Sequence, residues 1–280
     1  MEKNNPLIIL NNVDYAYNQE SKALDDINLN IYSGEVVGIM GQNGAGKTTL
    51  IRTLNGLIRP SSGNVFIRGK KLQSKTIAQL SAEVGIIFQN PALQLFSNSV
   101  EDELKFSLNN LGISKKKVEE KTEYYLDLFN LKRYRTRSPL NLSGGETKKL
   151  ATATILCRNP EILVFDEPTL GQDSKEIRFF VNLITKQKEL GKTIIIVTHN
   201  IEFALEYIPR TILMADGKII ADGPTDRILT NKKLIKKTSL IFPQIHEFCL
   251  ELRKNGIPCP DDILLKEDMI QFLSDFLKKP

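Results

Sequence analysis

Through Ile27–Tyr32 apolar and polar residues alternate, with Ile27, Leu29 and Ile31 set between Asn28 and Asn30, the period of a half-buried strand. Leu7–Tyr17 reads as a strand before it. Glu35–Met40, Ile162–Glu167 and Thr193–Val197 are instead nearly continuous apolar runs, as in strands of a parallel sheet covered on both faces. Val65–Arg68 and Gly85–Phe88 read as two more strands. Arg210–Ala221 reads as a hairpin about Asp216-Gly217, a strong turn pair.

Between the strands the period lengthens to that of helices. Leu50, Ile51, Leu54 and Leu57 share a face, stopped by Asn55-Gly56 with Pro60 beyond. Leu93–Tyr134 departs from the strand pattern: Val100, Leu104, Leu108 and Leu111 form one helical face, and Val118, Thr122, Tyr125, Leu126 and Phe129 another. Further helices run from Ser143 through Leu150, Thr154 and Ile155, and through Ile177, Phe180, Val181 and Ile184 to Gly191. Strands alternating with helices predict an α/β fold with a helical insertion. Beyond Gly223-Pro224 the composition shifts toward lysine, and two amphipathic helices follow, one with Ile245, Phe248, Cys249 and Leu252, the other with Met269, Ile270, Leu273, Phe276 and Leu277. Two such short helices bury little alone, so they are expected to pack on the main domain or on a second chain.

Composition narrows the class. No apolar run approaches the ~20 residues that span a bilayer. Met1–Pro6 is polar and Leu7–Leu10 is too short for a signal-peptide core, so a cytosolic location is expected. Cys157, Cys249 and Cys259 make no C-x-x-C pair and no disulfide framework, which suits small apolar roles in a reduced compartment. The net charge of +5 is mild, and the basic clusters Lys115–Lys117 and Lys132–Arg137 suit a solvated face or an anionic membrane surface.

The chemistry centres on Gly41-Gln42-Asn43-Gly44-Ala45-Gly46-Lys47-Thr48-Thr49. It fits G-x-x-x-x-G-K-[ST] and has the required context, a strand before and a helix after. Such a loop turns backbone N–H groups inward at a helix start and cradles phosphates. Lys47 adds a point charge, and the Thr48 hydroxyl suits Mg²⁺, which prefers oxygen. Gln89 follows a strand at the edge where ligands bind in parallel sheets, within reach of Mg²⁺ or an attacking water. Asp166 ends a buried strand and can reach the same Mg²⁺, while Glu167 points elsewhere and can act on a water. Two adjacent buried acids are costly without a cation. His199 ends the Thr193–Val197 strand at the same edge. Ser143 caps a helix, and Gly144-Gly145 let a second anion approach its start. Tyr15 or Tyr17 offers an aromatic face for a purine.

These motifs occur in the order of the ATP-binding cassette (ABC) family, and the chain resembles that family over residues 7–228. The resemblance implies a P-loop NTPase with a RecA-like sheet core, an antiparallel β subdomain and a helical subdomain near 93–158. It implies an ATP-binding domain over 1–228 and a C-terminal helical extension over 229–280. It further implies a head-to-tail dimer of ATPase subunits, identical or related, with two ATPs at the interface. Each ATP would be held by Gly41–Thr49 of one subunit and Ser143–Gly145 of the other, with Asp173 joining the site. Tyr17 would stack on adenine, Glu167 would polarise the attacking water and His199 would hold the γ-phosphate. Lys47, Thr48, Gln89 and Asp166 would hold phosphate and Mg²⁺.

A narrower likeness is to ATPase subunits of energy-coupling-factor importers, carried by Phe88–Pro91, Gln94-Leu95-Phe96, Val100–Glu103 and the tail Leu240–Leu277. It implies uptake of a vitamin or a transition-metal ion, a dimerising tail and a peripheral place on the cytoplasmic face of a membrane. Gln89–Phe96 would dock an integral membrane coupling subunit, and a separate membrane subunit would bind the solute. Ala92-Leu93, Glu146 and Gln172 depart from the group's usual residues. A nucleic-acid partner is not expected, since the chain carries one cassette, no long heptads and mild charge. A small-molecule phosphotransferase would not need Leu142–Glu146.

Overall fold

The computed structural model describes residues 5–18 and 21–278; the polar stretch Met1–Pro6 and the connection Asn18–Ser21 lie partly outside them. Among the described residues ten strands form two sheets. In chain order they are β1 (Ile8–Ala16), β2 (Lys22–Ile31), β3 (Val36–Met40), β4 (Ser62–Ile67), β5 (Lys70–Lys71), β6 (Val84–Ile87), β7 (Ile162–Asp166), β8 (Thr193–Val197), β9 (Arg210–Ala215) and β10 (Lys218–Pro224). The larger sheet runs β10-β9-β3-β8-β7-β6, parallel except for the β9–β10 hairpin. The smaller sheet, β2-β1-β4-β5, is antiparallel.

The continuous apolar runs explain the parallel sheet. Successive side chains point to opposite faces, and each face has its own core. Val37, Ile39, Ile162, Val164, Ile195 and Val197 face one way, onto the antiparallel sheet and the helix α1 (Lys47–Leu54) through Leu50, Ile51 and Leu54. Val36, Met40, Leu163, Phe165, Ile194 and Ile196 face the other way. That second core takes in the long helices α3 (Val100–Asn109), α4 (Lys115–Leu128), α5 (Gly144–Leu156) and α6 (Ser174–Glu189), which follow a short α2 (Ile77–Glu83). Burying each such aliphatic or aromatic side chain contributes about 1.5–3 kcal/mol. The expected mixed α/β fold, with a helical subdomain and an antiparallel β subdomain, is what is observed.

Five more helices follow among the described residues: α7 (Ile201–Tyr207), α8 (Thr225–Leu229), α9 (Lys232–Thr238), α10 (Gln244–Lys254) and α11 (Lys266–Leu277). The main core continues past residue 228 through Leu229 and Ile235, with Leu240 and Phe242 packed against it. The two tail helices instead form a small core of their own from Cys249, Cys259, Ile263 and Met269. The Sγ atoms of Cys249 and Cys259 lie 2.7 Å apart, so these cysteines are not scattered; the fold brings them together. Burial pushes the Cys249 thiol up to about 12, which keeps it protonated.

Two local differences from the sequence reading have plain causes. The second strand starts at Lys22, not Ile27, because buried Leu24 and Ile27 continue the pairing on β1. The helix α2 is short and buries only Leu80, but its start is marked by Thr76 and Gln79, which cap each other reciprocally.

Candidate active site

The tips of β3, β6, β7 and β8 meet at one edge of the parallel sheet. The loop after β3 is shaped by backbone crowding. Gly46 has φ +99°, and a Cβ there would lie 2.4 Å from the Ala23 carbonyl oxygen. At Gly41, φ +147°, it would lie 2.2 Å from the Met214 carbonyl oxygen. Only glycine fits either position without strain. The hairpin turn braces the loop from outside, Gly217 N–H donating to the Ala45 carbonyl at 3.2 Å.

A cleft of about 790 Å³ opens at this edge. Tyr17, Asn43, Gly44, Gly46, Lys47, Thr48, Thr49, Gln89, Asp166, Glu167 and His199 all line it. Ala45 is buried beneath the loop, and Gly41 lines an adjoining groove with Gln42, Asn43 and His199. Of the two tyrosines, Tyr17 is exposed and its hydroxyl lies 3.3 Å from Thr49 Oγ1, whereas Tyr15 packs against the core.

Lys47 Nζ donates to the carbonyls of Gly41 and Gln42 at 2.7 and 2.9 Å, so the cation sits in the mouth of the loop. Burial lowers its pKa, opposed by the charges of Glu167 and Asp166. Asp166 is pushed the other way: burial, then the neighbouring Glu167, raise its pKa, while the Thr48 hydroxyl, Lys47 and Arg52 oppose the rise. A buried carboxylate of this kind gains from a cation. Thr48 Oγ1 donates to Asp166 Oδ2 at 3.4 Å, so two hard oxygen donors face each other at the loop's end. That donor chemistry suits Mg²⁺. Among the described residues no three His, Cys, Asp or Glu side chains group closely enough to hold a metal. An Mg²⁺ here would therefore draw its remaining ligands from the Gln89 amide oxygen, which lines the same cleft, and from water or phosphate oxygens.

Glu167 is buried, and its backbone is left-handed at φ +50°. A non-glycine residue in that region costs on the order of 1–3 kcal/mol and persists only where its surroundings hold it. Its N–H donates to the Val197 carbonyl at 2.9 Å, and its Oε1 lies 2.8 Å from His199 Nδ1. The strand-end acid and the strand-end histidine are therefore one hydrogen-bonded unit, a contact that sequence order alone does not show.

Ser143, Gly144, Gly145 and Asp173 do not join this cleft. Ser143 caps α5 in a reciprocal box with Glu146, whose Oε2 accepts the Ser143 N–H at 2.9 Å. Gly144 and Gly145 line a second cleft, with Gln89, Asn90 and Leu170. Nothing lies within 4 Å of a Cβ built on Gly144, whereas one on Gly145 would meet the Glu176 carboxylate. Asp173 caps α6, its Oδ1 accepting from Lys175 and Glu176 N–H at 2.8 and 2.9 Å. Those backbone bonds hold its pKa below the usual carboxylate value.

Sequence reasoning missed Leu170, Asp216 and Gly217 as lining residues and the strain at Glu167. The Asp216-Gly217 turn was visible as a turn but not as a neighbour of the loop.

Residues 24–170 match the family model described as ABC transporter. A Methanosarcina acetivorans protein described as a putative ABC transporter ATP-binding protein is 40% identical over 96% of this chain. The chain spans 44% of that relative's length and 42% of its Methanosarcina mazei counterpart's. The energy-coupling factor transporter ATP-binding protein EcfA1 of Caldanaerobacter subterraneus is 36% identical, over 95% of this chain and 98% of that protein. Among solved structures, cbiO1 of Clostridium perfringens, described as part of the ABC transporter complex cbiONQ, is 33% identical with a TM-score of 0.73. It covers 87% of this chain and 98% of its own.

Proposed function

The chain belongs to the ABC transporter family, and on that premise we propose that it is the ATP-hydrolysing subunit of a membrane importer of the energy-coupling-factor type, taking up a vitamin or a transition-metal ion. The reaction is in-line attack of water on the γ-phosphate of ATP, in which positioning and charge neutralisation dominate. Glu167 accepts the water's proton as attack proceeds. His199, fixed against Glu167, holds the γ-phosphate. Tyr17 stacks on adenine, and the amides of Gly44–Thr49 with Lys47 cradle the phosphates. Thr48, Asp166 and Gln89 hold Mg²⁺, which when bound offsets charge on the phosphate oxygens.

Two subunits pair head to tail, so that Ser143–Gly145 and Asp173 of each close on the ATP held by the other. The partner ATPase is identical or related. The chain sits on the cytoplasmic face of the membrane, its exposed Leu93 and Phe96 against the integral coupling subunit, with a separate membrane subunit for the solute. The C-terminal extension pairs with its counterpart. The observation that carries the chemistry is the Glu167–His199 unit beside Lys47, Thr48 and Asp166 in one cleft. The likeness to EcfA1 and cbiO1 supports the transport class. Service in another kind of ABC importer is the second reading, favoured by Ala92-Leu93 at the docking loop. Purification from detergent-solubilised membranes, with identification of bound chains, tests the class. Co-purifying coupling and solute-binding membrane proteins are expected; a chain recovered with no membrane protein would overturn the importer role.

A further inference from the structure

The turn that follows Glu167 is tied to α5 by one side chain. Lys148, in the second turn of α5, sends Nζ across to the carbonyls of Pro168 at 2.9 Å and Leu170 at 3.2 Å. Among the described residues, no other side chain from outside the Glu167–Gln172 turn donates to its carbonyls. The backbone–backbone bonds of the turn are internal, Leu170 N–H to Glu167 and Gln172 N–H to Thr169, apart from Glu167 N–H to Val197. Burial lowers the Lys148 pKa, opposed by the charges of Glu176 and Glu167, so a partly desolvated ammonium is spent on two carbonyls rather than on a carboxylate. Hydrogen bonds from a charged donor are the stronger kind.

Two features make this more than a packing contact. The tied turn begins at the residue after Glu167, whose left-handed backbone needs support from its surroundings. The helix that supplies Lys148 is capped by Ser143, and it also approaches the start of α6 at two residues. Lys149 Nζ lies 4.0 Å from the Glu176 carboxylate, and that carboxylate occupies the space a Cβ on Gly145 would need, its Oε1 2.1 Å from such an atom.

We infer that Lys148 is a positioning residue that holds the Glu167 turn in its working shape and ties it to the α5 start. Resting on the dimer reading above, this makes the closing of Ser143 on a neighbour's ATP felt at the same subunit's own Glu167. Movement of α5 reaches the Pro168 and Leu170 carbonyls through a single side chain, with no rearrangement of the sheet.

The test compares Lys148→Met with Lys148→Arg in the full-length protein. Hydrogen exchange of the Leu170 and Gln172 amides is read without nucleotide, and kcat and KM for ATP are read with Mg²⁺. For Lys148→Met, the two amides are expected to exchange at least about tenfold faster while β7 and β8 amides stay protected, reporting local opening only. Its kcat is expected to fall about tenfold with KM within about twofold, the pattern of a lost transition-state interaction. Lys148→Arg is expected to restore most of both. Unchanged exchange at Leu170 and Gln172 in Lys148→Met would overturn the tether, whether or not the protein hydrolyses ATP. Faster exchange with unchanged kcat, or a rise in KM alone, would overturn the positioning role. A wild-type protein without ATPase activity would sink the proposed function but leave the exchange result standing.

Discussion

Two helix starts in this molecule are proposed to meet phosphates, and they are built differently. The start of α1 has Gly46 at its N-cap in a left-handed conformation, with no side chain bonded to it and buried Lys47 behind. The start of α5 is capped by its own residues, Ser143 and Glu146 satisfying each other's backbone N–H groups. Gly144 at its surface is open on every side. The α1 start directs its donors into a cleft that already contains Asp166, Glu167 and His199. The α5 start is satisfied by itself and lines a second cleft, which shares Gln89 and Leu170 with the first. On the proposed function, the first is half of a reaction centre, and the second is a finished helix end that meets a neighbour's phosphate.

The largest effect is expected where the chemistry sits. Glu167→Gln should keep ATP binding and lose on the order of 10²-fold or more in turnover, as removal of a general base does. Near-normal hydrolysis in that variant would take Glu167 out of its role. Lys47→Ala should act on binding instead. Loss of a charged donor of about 1.5–3 kcal/mol weakens nucleotide affinity by about ten- to a hundredfold, measurable by titration calorimetry.

The two glycines separate the helix starts further. Gly46→Ala places a Cβ against the Ala23 backbone at positive φ and should destabilise the loop by on the order of 1–3 kcal/mol in denaturant unfolding. Gly144→Ala meets nothing, and alanine in place of glycine in a helix gains roughly 0.5–1 kcal/mol. Its stability should hold or rise while turnover falls, because the added methyl obstructs an approaching phosphate. A Gly144→Ala protein with normal turnover would remove the α5 start from the reaction.

The smallest effect belongs to Asp14, on β1 of the antiparallel sheet. Asp14 accepts from the Asp26 N–H, the Ser62 hydroxyl and the Lys22 ammonium, which together hold its carboxyl at about 2. A lowered folded-state pKa stabilises the protein above the ordinary value near 4 and ceases to do so as pH falls through about 2. The group is partly exposed, so less than about 1 kcal/mol is at stake. Asp14→Asn should lose that increment at neutral pH and show a shallower decline between pH 4 and 2 in urea unfolding.

Much of this was legible because burial and chemistry leave linear marks. Strands covered on both faces read as apolar runs, and their polar ends, Gln89, Asp166 and His199, sit at a shared edge whatever the strand order. The glycine spacing of the phosphate loop is likewise a local backbone demand. What was not legible depends on long-range approach. The Glu167–His199 bond, the reach of Lys148 to Pro168 and the meeting of Cys249 with Cys259 join positions whose distance apart no periodicity encodes. The tail's separate core escaped for the same reason: its amphipathic faces showed that they need covering, not that they cover each other.

The central claim is that one working site takes its phosphate loop from one subunit and its Ser143 helix start from another. Complementation tests it most directly. Lys47→Ala and Ser143→Arg proteins are each prepared inactive, unfolded and refolded together, and assayed for ATP hydrolysis against wild type. In a two-fold dimer, a mixed pair keeps one intact site, so random pairing restores about a quarter of wild-type turnover. A mixture no more active than either variant alone, from a wild type that hydrolyses ATP, would contradict the account.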